Sequence, residues 1–299
     1  MPACPVCGTS SPRLHLQVSG YRIVACDECG FQWVNPPPSA AELARLYDDP
    51  AYFRDANSSY RDYLAAEASH RRLAARRLRW IGRHQAPGRL LDVGCAAGFF
   101  LAEARRRGWE VAGIEVSTQM RERAENVAPR RMFVGWRDAR EVLSRLDLVT
   151  MWEYIEHCPA PLDELRQAAA LLRPGGLLAL STPNTDHRLA QTSGQVWREY
   201  KPPEHVGFFG ARSLAQALRA TGFDVLELGY TVPLTAYDAT GFRQLQRVGA
   251  LLGSGSDRRT PLWWVTSLGH HVYTLPARCR AFVAPARHCV GLEAYARRC

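Results

Sequence analysis

Arg89-Leu90-Leu91-Asp92-Val93-Gly94-Cys95-Ala96-Ala97-Gly98-Phe99-Phe100 decides the fold. Arg89 to Val93 reads as a buried strand, and Phe99 opens a helix that ends near Arg107-Gly108. Gly94 and Gly98 let a ligand approach the backbone at the turn between them, where open helix N–H groups lie. The next strand, Glu110 to Val116, carries Glu115 at its end, 17 residues beyond Gly98. A carboxylate there can accept hydrogen bonds from two ribose hydroxyls. A glycine turn alone is weak evidence; with Glu115 it points to a nucleoside ligand. The G-x-x-x-G spacing does not match the fingerprint that binds a dinucleotide pyrophosphate.

Downstream, apolar runs alternate with helical segments, as in a doubly wound α/β sheet. Arg131–Gly135, Leu146–Trp152, Leu177–Ser181 and Phe223–Tyr230 read as the next strands, and Val290–Arg297 as a seventh that closes the sheet antiparallel. Trp136, just after the third strand, is placed to stack on a nucleobase or to pack in the core, with Asp138 as the alternative contact. The segment 235–288 reads as a helical insertion carrying Trp263, Trp264, His270 and His271. It would serve as a cap on the core, a dimer interface, or an apolar pocket or membrane-surface contact for a lipid-linked acceptor.

Leu90-Leu91-Asp92-Val93-Gly94-Cys95-Ala96-Ala97-Gly98 resembles the first motif of class I S-adenosylmethionine-dependent methyltransferases, D-x-G-x-G-x-G, with Ala96 in place of the middle glycine. Glu156-His157-x-x-x-Pro161-Leu162, Leu171-Leu172-x-Pro174-Gly175-Gly176 and Ser181-Thr182-Pro183-Asn184 resemble the branch holding ubiquinone-type O-methyltransferases and many sugar and natural-product enzymes. The resemblance spans Arg89 to Tyr230. It implies a Rossmann-like seven-stranded fold and S-adenosylmethionine as cofactor. Gly94, Cys95 and Gly98 would line its methionine part and Glu115 its ribose, with Asp92, Trp136 and Trp152 as further contacts.

Ligands of such sheets bind at the carboxyl ends of the strands, and methyl transfer needs an aligned acceptor and, usually, a base. His157 and His205 are the candidate bases, since an imidazole changes protonation near neutrality. Trp197 to Gly210 is a loop rich in aromatic and ionisable groups. Its Glu204-His205 pair resembles the acid–base pair of deoxysugar C-methyltransferases, although Pro202 stands where those enzymes carry Tyr.

Cys4-Pro5-Val6-Cys7-Gly8 and Cys26-Asp27-Glu28-Cys29-Gly30 are two C-x-x-C-G knuckles separated by 18 residues. This spacing predicts a closed four-thiolate zinc site that is structural, since no coordination position stays open. A module so small needs the metal to fold. The predicted layout is a zinc ribbon over 1–38, a helical connector or lid over 39–87, the catalytic domain over 88–234, the insertion over 235–288 and a final strand over 289–299. Within the connector, Ser39 and Glu42 suit a capping box and 59–84 suits a helix. Tyr47, Tyr52, Phe53, Tyr60 and Tyr63 are placed either to line the mouth of the site or simply to pack.

The formal charge is +9, yet Lys201 is the only lysine among 38 basic residues. That skew matches a GC-rich coding bias better than a phosphate-binding face. Nine Arg lie between Thr240 and Cys299, so an RNA methyltransferase that grips nucleic acid with ribbon and tail is the alternative to a small-molecule enzyme. Against it, no Asn/Asp-Pro-Pro-Tyr/Phe motif follows the fourth strand. A binding protein that has kept the fold is a third reading, opposed by the intact first motif. No run reaches the length of a membrane span and the N-terminus lacks a leader, so a cytoplasmic monomer or homodimer is expected.

Overall fold

A computed structural model describes residues 3–10, 12–48, 63–64, 66–129, 131–192, 197–233 and 279–299. Three short strands, β1 (Arg13–Val18), β2 (Tyr21–Ala25) and β3 (Gln32–Val34), precede helices α1 (Ala40–Asp48) and α2 (Glu67–Ile81). Then come β4 (Arg89–Val93), α3 (Phe99–Arg106), β5 (Glu110–Ile114), α4 (Thr118–Glu125), β6 (Met132–Phe133), α5 (Trp136–Val142) and β7 (Leu146–Trp152). After them follow α6 (Pro161–Leu171), β8 (Leu172–Pro183), α7 (Arg188–Thr192), β9 (Gly207–Phe208), α8 (Ala211–Ala220), β10 (Phe223–Pro233) and β11 (Cys289–Arg298).

The central sheet has seven strands in the order β10-β11-β8-β7-β4-β5-β6. β11 runs antiparallel to both β8 and β10, as the closing strand was expected to. Because helices cover both faces, the central strands are buried on both sides rather than alternating: Leu90, Leu91 and Val93 of β4 and Leu148, Val149 and Met151 of β7 are fully buried, with Asp92 and Thr150 as a buried polar pair among them. Strand order reverses at β4, which pairs with β5 on one side and β7 on the other. The crevice above their carboxyl ends is where such a sheet binds ligand.

β4 and β7 begin and end where the sequence places them. β8 starts at Leu172, earlier than Leu177, because Leu172 already pairs with Leu146 and a bulge absorbs Arg173-Pro174-Gly175-Gly176 inside the strand. β6 is only two residues long, an edge strand with Val134 already exposed. α2 begins at Glu67, and 49–62 lies outside the described residues. So does 234–278, most of the expected insertion; 279–283 and Pro285–His288 are helical. The capping box at Ser39 is half formed. Ser39 Oγ accepts from Glu42 N at 3.2 Å, but the Glu42 carboxylate accepts from the Tyr21 hydroxyl instead of turning back.

The N-terminal ribbon is not self-contained. Its sheet has the order β1-β2-β3-β9, and the fourth strand comes from the loop ahead of α8.

Candidate active site

Two turns at the carboxyl ends of β4 and β5 face each other and share one carboxylate. Glu115 Oε2 accepts from Ala96 N at 2.9 Å and its Oε1 from Ser117 N at 2.8 Å. Gly94 and Gly98 adopt φ of 71° and 78°, and Ala96 between them is also left-handed at 46°. An alanine there is strained, and its bond to Glu115 holds it in place. A Cβ on Gly94 would come within 2.7 Å of the Tyr154 ring. Gly98 is the N-cap of α3 and has no side-chain cap, so the N–H groups of the first turn of α3 stay open. Behind the turn, Asp92 accepts from Thr150 Oγ1 at 2.6 Å, and burial lifts its carboxyl to about 7.

The turn opens into a cavity of about 530 Å³. Asp92, Gly94, Cys95, Trp152, His157, Glu204 and His205, all candidates from the sequence, line it together. Gly98 lies just behind, against Ala124, and Glu115 lies beneath the wall with two carboxylate lone-pair sites unspent. Of the two placements considered for Trp136, the structure has it packed against the main core. It is the first residue of α5, donates its indole N–H to Glu164 Oε2 at 2.6 Å, and does not line the cavity. The same Glu164 oxygen accepts from Tyr154 at 2.7 Å. Asp138 is exposed. Of the five aromatics considered for the mouth, Tyr63 lines the cavity and stacks on Phe99 with centroids 5.3 Å apart. Tyr47 meets His157 Nδ1 at 3.1 Å, and Tyr52, Phe53 and Tyr60 lie outside the described residues.

On the far wall His157 and His205 meet edge to face, 4.7 Å between centroids. His157 Nδ1 donates to the Glu204 carbonyl at 2.9 Å and His205 Nδ1 to the Glu199 carbonyl at 3.0 Å. A carbonyl only accepts, so both rings carry hydrogen on Nδ1 and leave Nε2 bare. Burial, with Lys201 nearby, holds both below the ordinary imidazole range, His157 near 3, so both are neutral bases at neutral pH. Burial also lifts Glu199, beside His205, to about 7. Glu156 is fully buried, with Thr182 beside its carboxyl but no well-formed hydrogen bond to either oxygen among the described residues, and burial beside Glu153 raises it well above the carboxylate range.

Sequence reasoning passed over Glu156, Glu199 and Lys201, and also one face of α2, where His70, Leu73, Ala74 and Arg77 line the cavity. Their i, i+3, i+4, i+7 spacing was the available signal. Arg77 lies over the Trp152 ring at 4.0 Å, bonds Glu293 at 2.9 Å and Ser181 at 2.9 Å, and so ties the cavity to β11 and β8.

Among the described residues, two groups have donor atoms close enough to hold a metal. Glu156, His157 and His205 have theirs within 4.8 Å of one another, as do Cys4, Cys7, Cys26 and Cys29. The four thiols fit zinc well. Cys4–Cys29 and Cys7–Cys26 sulfurs lie 3.6 and 3.5 Å apart, near the roughly 3.8 Å edge of a zinc–thiolate tetrahedron. The knuckles repeat one bonding pattern, Gly8 N to Cys4 O and Gly30 N to Cys26 O, each 2.9 Å.

A glycine turn joined to a buried carboxylate, at the carboxyl ends of a seven-stranded sheet with one antiparallel strand, fits a class I S-adenosylmethionine-dependent methyltransferase. Residues 63–228, more than half the chain, match the methyltransferase domain family, and the chain belongs to it. It is 30% identical to a ubiquinone biosynthesis O-methyltransferase of Aromatoleum aromaticum over 51% of this chain and 71% of that protein. With a protein of the same description from Leptothrix cholodnii the identity is 31%, over 50% and 71%. Among solved structures, a SAM-dependent methyltransferase from Archaeoglobus fulgidus matches with a TM-score of 0.53 at 17% identity, over 79% of this chain and 99% of that one. The [4+2]-cyclase SpnF matches at 0.51 and 20%, over 88% and 97%. Among the described residues no helix is long and apolar enough to cross a membrane.

Proposed function

We propose that this enzyme methylates a hydroxyl-bearing small molecule, such as a sugar, glycolipid or secondary metabolite, with His205 as the base. The observation that carries this reading is the pair of buried, neutral imidazoles whose bare Nε2 atoms share a cavity with the Gly94–Cys95 turn. Gly94, Cys95 and the open amides in the first turn of α3 would hold the methionine part of S-adenosylmethionine. Glu115 would take the ribose, and Asp92 and Trp152 would border it. The cofactor supplies a sulfonium methyl, open to direct displacement. His205 takes the acceptor proton, the Glu199 carbonyl fixes its tautomer, and His157 with Glu204 orients it. Closing the cavity against water falls to Tyr63, His70 and Phe99, whose rings lie 4.3 to 5.8 Å apart.

The lining favours an uncharged acceptor. Arg76 and Arg77 are paired with Glu293, and Lys201 with Glu204, so these cations are already engaged and leave a phosphate poorly served. The names of the relatives, O-methyltransferases of ubiquinone biosynthesis, support oxygen as the acceptor atom. Of the Arg-rich tail, Arg297 and Arg298 turn inward onto the carbonyls of Gly175, His84 and Leu172, which removes them from any RNA-gripping surface. The four cysteines are read as a structural zinc centre, the ribbon over 1–38 as completed by β9, and the enzyme as cytoplasmic. A labelled-methyl screen against sugars and phenolic metabolites tests the function: transfer to a neutral hydroxyl compound is expected, and transfer to RNA alone overturns it.

A further inference from the structure

We propose that the zinc ribbon is part of the acceptor-side catalytic apparatus: its metal-ordered third strand templates the loop that carries Glu204 and His205, with Phe31 as the positioning residue. This rests on the zinc reading and on the role given to His205. β9 follows His205 directly and pairs with β3, Gln32 opposite Phe208 and Trp33 opposite Gly207. Val34 N donates to Val206 O at 2.9 Å, and Val206 N donates to Glu156 O at 2.8 Å. The backbone of Val206, next to the base, is therefore a rung between ribbon and cavity wall. From the loop, Tyr200 donates to Gln32 of β3, and His15 of β1 meets the Tyr200 hydroxyl at 3.1 Å.

Phe31 belongs to both sides. Its N–H reaches Cys29 Sγ at 3.5 Å and its carbonyl accepts from Cys26 N at 2.9 Å, so two thiolate ligands fix its backbone. Its ring lies under the loop. A Cβ on Gly207 would come within 3.1 Å of it, and the Phe209 ring lies 4.7 Å away. Phe31, Phe208 and Phe209 are fully buried, so displacing Phe31 must move the loop or open a cavity. Among the described residues the cofactor side has no such hydrogen-bonded tie. Glu115 and the Gly94 turn draw their bonds from β5, β6 and the start of α4. Metal loading should therefore govern the base and spare the cofactor.

Hydrogen exchange by mass spectrometry on the full chain tests this, with zinc and S-adenosylhomocysteine affinity measured on the same samples. After chelation, amide exchange over 204–209 should rise about 100-fold, the loss expected when a strand leaves its sheet. Amides of β4 and affinity for S-adenosylhomocysteine should change less than about twofold, and added zinc should restore protection. Phe31→Ala keeps all four thiols. It should keep its zinc and still speed loop exchange about tenfold, from the cavity left under Gly207. Zinc-loaded protein whose loop stays protected after chelation overturns the inference alone. Collapse of β4 protection together with the loop also overturns it, making the metal a global fold element. Purified protein without zinc overturns the zinc reading and this inference with it.

Discussion

The two halves of the cavity are built differently. On the cofactor side each named carboxylate has its partners: Asp92 on Thr150 of β7, and Glu115 on Ala96 and Ser117 in the two turns it joins. On the acceptor side the chemistry sits on the segments after β7 and ahead of β9, with a buried Glu156 and two imidazoles held by the carbonyls of Glu199 and Glu204 and, for His157, the Tyr47 hydroxyl. A shared cofactor demands one fixed geometry, while acceptors differ and are met by loops that vary. The likeness to SpnF, whose description is a cyclase, makes the point: the same sheet does not by itself fix the reaction.

The sharpest way to break this division is His205→Ala. Losing the base should lower turnover by about 10²- to 10⁴-fold and leave S-adenosylhomocysteine affinity nearly unchanged by calorimetry. Equal losses in both would show that the halves are one unit. The converse is Gly94→Val. A branched residue at φ 71° with its Cβ 2.7 Å from Tyr154 should weaken cofactor binding about 10- to 100-fold. Unaltered affinity would remove that turn from the cofactor site.

This division also explains what was legible in the sequence. β4 and β7 were readable to the residue because each is a short, mainly apolar run between helical segments, which a doubly wound sheet buries on both faces. Gly94 was readable because a tight strand-to-helix turn with left-handed backbone favours glycine, and Glu115 because a carboxylate ends the second strand beside that turn. Cys4, Cys7, Cys26 and Cys29 were readable from spacing alone. Glu156 was not: a glutamate beside a histidine after a strand looks like a solvated turn, and its burial comes from Val206, Thr182 and the cavity, which lie far off in sequence. Nor was the β3–β9 pairing, since two-residue Gly207–Phe208 carries no strand periodicity and takes its form from the ribbon it joins.

The acceptor half can be sharpened by pH. Glu199 titrates near 7 because burial disfavours its charge, and its Oε2 lies 3.6 Å from His205 Nδ1. Below that pH the carboxyl is neutral; above it the new charge pulls on the Nδ1 hydrogen and makes Nε2 more basic. The turnover rate should therefore climb as pH rises through about 7 and then level off. Glu199→Gln should flatten that limb and leave a rate about tenfold lower on the plateau, the effect of roughly one unit of basicity. A limb that survives the substitution belongs to another group.

The smallest effect expected is at Trp136, where the sequence allows a stack on adenine or core packing and the structure shows a bond to Glu164. If the structure describes its role, Trp136→Phe removes one indole N–H from a carboxylate that still accepts from Tyr154 at 2.7 Å. The ring's packing against the main core is largely kept. Stability should fall by about 1–2 kcal/mol, the worth of one hydrogen bond to a charged group, seen as a modest drop in melting temperature. Cofactor affinity should stay within about twofold, because a lost stack would cost more than that. A clear loss of S-adenosylhomocysteine binding with stability intact would move Trp136 to the cofactor half and extend that half beyond the β4 and β5 turns.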